Sequence, residues 1–260
     1  MKADFDQVAA TYDTTFTHTI IGKMQRDLVY HHLKKLFSDS NIESILEVNC
    51  GTGEDAIWLA KQGFQVTATD ISKPMLTVAK AKEHAGNITF IQADLNDLSI
   101  HFPNEKFDLI FSNFGGLNCL SERQLSSFFK NATQLLNEKG KLVLIMMPRN
   151  TLWEQGYFLV KGQFNSIFRR KRESVLANID DEKVITYYYN PKETLTLADH
   201  YFDLIQQNPI GFFVPPSYME PFFKTKPRLI SMLNALENKI TSQRFLAKYA
   251  DHYLIAFEKK

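Results

Sequence analysis

The residues best placed to do chemistry are Glu47-Val-Asn-Cys-Gly51-Thr-Gly53, between an apolar run and a helical pattern. Two glycines at such a strand-to-helix turn let backbone N–H groups approach a ligand that side chains would hold off. Two carboxylates, Asp70 and Asp94, end the next two apolar runs, and Asn113 ends a fourth. The glycines alone leave two ligands open, because Gly51-Thr-Gly53-Glu-Asp-Ala56 also satisfies the dinucleotide fingerprint, with Asp70 near the ribose-binding distance. Glu47 helps to separate them. A carboxylate there sits poorly beside a pyrophosphate and well beside a cationic amino-acid moiety, and a nicotinamide fold has no standard need for Asp94. Structural readings stand beside these: Asp70 could cap the following turn, and Cys50, with no His nearby in sequence, reads as a small buried residue. His84 fits a favourable contact at a helix end. No Cys/His/Asp cluster has zinc spacing, so no metal is expected.

The elements that must position these groups alternate strand and helix through residues 41–147, the pattern of βαβ units on a parallel sheet. Strands are expected at Ile42–Val48, Phe64–Asp70, Ile88–Ala93, Phe107–Asn113 and Lys141–Met147. Helices are expected at Glu54–Gln62, from Ser72 to near Gly86, and from Ser121 to about Asn137, where Ser121-Glu-Arg-Gln124 fits a capping box. Beyond Pro148 the alternation breaks. Residues 151–171 read as one or two aromatic-rich helices, and Ser174–Ile179 with Val184–Tyr189 as a hairpin turning at Asp180-Asp181-Glu182-Lys183. Asn190-Pro191 starts a helix to about Phe202, Ile210–Val214 is strand-like, Arg228–Asn238 is helical, and His252–Glu258 closes as an alternating strand. Four segments follow: 1–40, a helical preface covering the site; 41–150, the cofactor core; 151–223, a lid insertion and substrate region; and 224–260, the terminal helix and strand.

Composition sets outer bounds. A net charge of +1 argues against a dedicated nucleic-acid binder. The two cysteines, Cys50 and Cys119, make no disulfide framework, and the opening Met1-Lys-Ala-Asp-Phe-Asp-Gln has no signal-peptide core, so a cytoplasmic location without a transmembrane segment is expected. A homodimer is compatible with the sequence but not derivable from it.

Four stretches together carry a family resemblance. Ile45-Leu-Glu-Val-Asn-Cys-Gly-Thr-Gly53, Val66-Thr-Ala-Thr-Asp70-Ile-Ser, Phe90-Ile-Gln-Ala-Asp94-Leu and Phe107-Asp-Leu-Ile-Phe-Ser-Asn-Phe-Gly115 resemble the successive motifs of class I methyltransferases that use S-adenosylmethionine. Phe5-Asp-Gln-Val-Ala-Ala-Thr-Tyr12-Asp13 is similar to the openings of members acting on small molecules. The departure is Asn49, where the family more often has Gly; Asn tolerates left-handed backbone, so the turn should survive. The resemblance implies an α/β Rossmann-like sheet of seven strands. It would be mostly parallel with an antiparallel C-terminal strand, with helices on both faces and an α+β lid after the fifth strand. It also implies roles: Asp70 on the ribose hydroxyls, Asp94 on the adenine amino group, and Ile71, Met75 and Leu95 around the ring. Asn49, Gly51, Gly53, Asn113 and Glu47 would serve the methionine end, with Tyr12 closing over it.

The acceptor is expected to be a small molecule with an aromatic or lipophilic portion, because Trp153, Tyr157, Phe164, Tyr188, Phe213 and Tyr218 crowd the insertion, although most of its aromatics would serve its own core. Arg169-Arg-Lys-Arg172 reads as a solvated face. His18, Arg149 and His200 are the candidate catalytic residues. The rival readings are a nicotinamide-dependent reductase and a non-catalytic S-adenosylmethionine-binding protein.

Overall fold

The inner strands are near-continuous hydrophobic runs because helices cover both faces and leave neither to water. The computed structural model describes residues 5–38, 40–84, 86–179 and 182–260. Among them the strands are β1 (Ser44–Val48), β2 (Gln65–Asp70), β3 (Ile88–Gln92), β4 (Phe107–Ser112), β5 (Leu136–Met146), β6 (Val175–Ile179), β7 (Glu182–Thr186), β8 (Phe202–Ile210) and β9 (His252–Lys259). The α-helices are α1 (Ile20–Ser38), α2 (Glu54–Lys61), α3 (Lys73–Lys82), α4 (Leu98–His101), α5 (Glu122–Leu135), α6 (Leu152–Val160), α7 (Pro191–Ala198), α8 (Glu220–Phe223) and α9 (Pro227–Ile240). A seven-stranded sheet runs β3-β2-β1-β4-β5-β9-β8, and β6 and β7 form a separate hairpin. β9 is antiparallel to both β5 and β8, whereas the pairs among β1 to β5 are parallel. This is the expected Rossmann-like sheet with its antiparallel final strand.

Period-2 alternation sends neighbouring side chains to opposite cores. Leu142 and Leu144 pack on one face with Leu125, Phe129 and Ala132 of α5, while Val143 and Ile145 pack on the other with Leu28 and Leu33 of α1 and Leu59 of α2. Each such side chain contributes on the order of 1.5–3 kcal/mol by leaving water. The cap signals also hold: Gln124 Oε1 accepts from Ser121 N at 3.1 Å, and Ser72 Oγ accepts from Met75 N at 3.3 Å. Parallel register pairs Val48 with Thr69, Asp70 with Gln92 and Glu47 with Phe111. The carboxyl ends of β1 to β4 therefore share one edge.

Three elements depart from the sequence reading. β5 starts at Leu136, so the turn expected at 137–140 lies within the strand, where its pairing with β4 shifts register. The helix expected to reach Phe202 stops at Ala198, and the strand expected at Ile210–Val214 instead occupies Phe202–Ile210. Asp203, Gln206, Gln207, Asn208 and Pro209 mask its periodicity. They are tolerated because β8 is an edge strand pairing only with β9, where a proline and polar side chains cost little. The strand lies within the span 151–223 expected as a lid, so 9 of those residues belong to the sheet. The expected hairpin forms as β6 and β7, but Asp180 and Asp181 of its turn lie outside the described residues. Among the described residues no helix is long and apolar enough to cross a membrane.

Candidate active site

A cavity of about 620 Å³ opens at the carboxyl edge of the sheet. On the β1–β3 side it is lined by Asn49, Gly51, Asp70, Ile71, Met75, Asp94 and Leu95, which are all sequence-predicted residues. The turn after β1 is built from three left-handed residues, Asn49 (φ 56°), Gly51 (φ 53°) and Gly53 (φ 75°). Asn49 thus takes the conformation that glycine would supply, and its Oδ1 is buried with no hydrogen-bond partner. Gly51 and Gly53 do different work. A Cβ on Gly51 would meet nothing within 4 Å, so the space over this turn is open to a ligand, whereas a Cβ on Gly53 would lie 2.8 Å from Ala79 Cβ. Gly53 does not line the cavity; it lets α2 start close against α3.

Asp70 is fixed by backbone donors. Its Oδ2 accepts from Gly51 N and its Oδ1 from Ser72 N, both at 2.8 Å. Burial raises its pKa and these two bonds oppose the rise. Each oxygen retains further acceptor capacity toward the cavity. Asp94 Oδ1 accepts from Asn96 N at 2.9 Å and so caps the turn Leu95–Asp97 that sets Leu95 on the wall. Asn113 lines the cavity while its Nδ2 donates to Asp55 Oδ2 at 3.0 Å. Asp55 is also ion-paired with Arg26 at 2.5 Å and accepts from Tyr30 Oη at 2.8 Å.

Glu47 stands behind the loop, not on the cavity wall. It is 1% exposed, its Oε2 has no partner, and burial together with the Asp55 carboxylate pushes its pKa well above the usual carboxylate range. The N-terminal segment closes the near side, with Phe5, Tyr12, Thr15 and Phe16 on the wall. It is tied down through Asp13, which accepts from Thr52 Oγ1 and Lys82 Nζ, both at 2.6 Å. Burial pushes the Tyr12 phenol up to about 12, so it stays neutral and can act as a hydrogen-bond donor.

The β5–β9 side is made of long-range contacts that sequence patterns do not reveal. Arg170 is 5% exposed, lines the cavity and pairs with Glu154 at 2.9 Å and Asp251 at 3.4 Å. Arg169 also pairs with Glu154, at 2.8 Å. The run 169–172 is therefore not a uniformly solvated face: Lys171 and Arg172 are exposed, but Arg169 pairs within the insertion and Arg170 ties the insertion to Asp251, immediately before β9. The reason is Glu154, 2% exposed on α6, whose charge requires partners. Burial would raise the pKa of Glu154, but the two guanidinium groups hold it below its ordinary value.

None of the three candidate catalytic residues lines the cavity. His18 is exposed. Arg149 is spent on Glu193 at 3.0 Å and on the carbonyl of Arg172. His200 is exposed just before β8, whose first residue pairs with Lys259 at the amino edge of the sheet, opposite the site. Two residues not singled out from sequence do line it, Asp251 and His252. The signal that could have found them is topological. A final strand running antiparallel brings its first residues, not its last, to the carboxyl edge.

Residues 45–140 match the family model described as a methyltransferase domain. The chain is 37% identical over 112 residues to a putative methyltransferase of Geobacillus sp. (strain WCH70), covering 42% of this chain and 44% of that one. It is 30% identical over 163 residues to a demethylmenaquinone methyltransferase of Clavibacter sepedonicus, covering 61% and 63%. The chain spans about half the length of the curated relatives it matches. In fold it resembles the crystal structure of a putative S-adenosylmethionine-dependent methyltransferase from Listeria monocytogenes, with a TM-score of 0.61, 17% identity, and coverage of 90% of this chain and 99% of that one.

Proposed function

From the premise that the chain carries a class I, S-adenosylmethionine-dependent methyltransferase domain, we propose that it moves a methyl group from S-adenosylmethionine to a small molecule with an aromatic or lipophilic portion. The observation that carries this reading is Asp70, held by Gly51 N and Ser72 N, on the wall of a cavity that also displays Asp94 and Asn113. The donor set fits the cofactor. Asp70 would take both ribose hydroxyls, and Asp94 the adenine amino group, with Ile71, Met75 and Leu95 against the ring. Asn49, whose Oδ1 lacks a partner, would bind the methionine end with Gly51 and Asn113. Asp55, behind the loop, would hold Asn113 toward that end through the bond from Asn113 Nδ2 at 3.0 Å. Gly53 would act by positioning the turn, and Tyr12 by closing over it.

Bound there, S-adenosylmethionine supplies a methyl carbon on a sulfonium, open to in-line displacement. The protein's work is then alignment and exclusion of water. Tyr12, Phe16 and Phe114 wall the region beside Asn113, and Tyr188 and Tyr218 wall the acceptor side. This aromatic lining supports an aromatic or lipophilic acceptor, as does the likeness to a demethylmenaquinone methyltransferase. Isothermal titration with S-adenosylhomocysteine tests the cofactor assignment. Binding in the micromolar range or tighter is expected, with no heat from NADH; NADH binding without S-adenosylhomocysteine binding would reinstate the reductase reading.

A further inference from the structure

The structure points to His252 as the proton acceptor for a phenolic or enolic hydroxyl, so we infer that the acceptor is methylated on oxygen at a ring hydroxyl. This rests on the methyl-transfer reading above. His252 opens β9 and lines the cavity, yet is only 7% exposed. Its ring lies edge-on to Phe114, with centroids 5.6 Å apart, and Phe114 follows Asn113, the residue proposed for the methionine end of the cofactor. Across the sheet edge, Gly115 N donates to Ile145 O of β5, and Met146 of β5 pairs with Tyr253. His252 therefore stands two strands over from Asn113, with β5 between β4 and β9.

Asp251 equips this histidine for the task. Its Oδ2 lies 3.2 Å from the buried Nδ1 of His252, close enough to stabilise a protonated ring, which leaves Nε2 for the acceptor. Asp251 is itself fixed from three elements. Gln25 of α1 donates to Oδ2 at 3.2 Å, Arg170 pairs with Oδ1, and Glu154 of α6 holds Arg170 from its other side. The charged groups around His252 are thus Asp251 immediately before its strand, Arg170 and Glu154 from the insertion, and Arg26 of α1 over the ring of Phe114. Tyr188 and Tyr218 share the cavity wall and suit a planar ring.

The step balances without another reagent. The acceptor O–H bond breaks and its proton passes to Nε2 of His252. The oxygen electron pair forms the new C–O bond to the methyl carbon as the C–S bond breaks, with that pair remaining on sulfur. His252 then returns its proton to solvent.

The test uses a series of simple phenols of graded acidity, from 4-methylphenol to 4-nitrophenol, with labelled S-adenosylmethionine and the full chain. His252→Gln should lower kcat about 100-fold or more on phenols of ordinary acidity, with KM for the cofactor unchanged. The deficit should shrink toward nothing on phenols already ionised at the assay pH. A deficit equal for all phenols, or none, would overturn the assignment. A second measurement needs no variant. When 4-nitrophenol binds the S-adenosylhomocysteine complex below its own ionisation pH, the phenolate band should appear. Neutral phenol in the complex would overturn the base, and no binding or turnover of any phenol with cofactor bound would overturn the acceptor class. Failure to bind S-adenosylhomocysteine at all would instead defeat the methyl-transfer reading.

Discussion

The two sides of the cavity are held together in different ways. On the β1–β3 side, backbone amides fix the functional groups over short sequence distances: Asp70 bonds Ser72 two residues away and Gly51 across 19, and Asp94 bonds Asn96 two away. On the β5–β9 side, buried side-chain ions join distant segments, with Arg170 reaching Asp251 across 81 residues and Gln25 reaching it across 226. A site fixed by main-chain donors tolerates changes nearby, because removing one side chain leaves the turn intact. A buried ion network does not, since removing one partner strands the other's charge in a poorly solvated place. The difference predicts that damage on one side is read as lost ligand affinity, and on the other as lost stability.

The sharpest way to break this contrast is at Glu154. Glu154→Gln should cost about 3–5 kcal/mol in urea denaturation, because Arg169 and Arg170 lose their carboxylate, while S-adenosylhomocysteine affinity of the folded protein stays within about threefold. Asp70→Ala should do the reverse. It should weaken S-adenosylhomocysteine about 100-fold by titration calorimetry with the circular dichroism spectrum unchanged, as two hydrogen bonds to a charged group are lost. Gly53→Ala lies between them. Its φ of 75° and the 2.8 Å approach to Ala79 should cost about 1–3 kcal/mol of stability, with a smaller loss of affinity.

The pH dependence of stability sharpens the same comparison. Burial would raise Asp251, but His252 and Arg170 hold it down at about 2, and Glu154 is also held below its ordinary value. Their folded-state pKa values are depressed, so the stability they contribute is present above the ordinary carboxylate range near about 4 and disappears as pH falls toward 2. A urea midpoint that declines across that window, with a shallower decline in Glu154→Gln, is the expected result. The smallest effect is expected at Arg149, whose pair with Glu193 is partly exposed. Arg149→Ala should change stability by less than about 1 kcal/mol and turnover by less than about twofold.

The same contrast explains what the sequence revealed. Strand ends carrying Asp70, Asp94 and Asn113 were legible because a parallel sheet repeats one rule: each strand delivers its last residues to the same edge. The helix starts at Ser72 and Ser121 were legible from local capping chemistry. β8 was not, because an edge strand buries only part of its pattern and carries Gln206, Gln207 and Pro209 without penalty. Arg170 looked like surface because charge runs are usually solvated; only the fold shows that Glu154 and Asp251 surround it. Glu47 was legible as a feature of the loop, but its burial and its place behind the cavity wall depend on α1 and α2, which bring Arg26 and Asp55 against Asn113.

The most direct test of the central claim is a crystal structure of the chain with S-adenosylhomocysteine. The account predicts both ribose hydroxyls on the Asp70 carboxylate, adenine between Ile71, Met75 and Leu95, and the sulfur turned toward His252. A nucleoside bound elsewhere, or a ribose that does not touch Asp70, would contradict it.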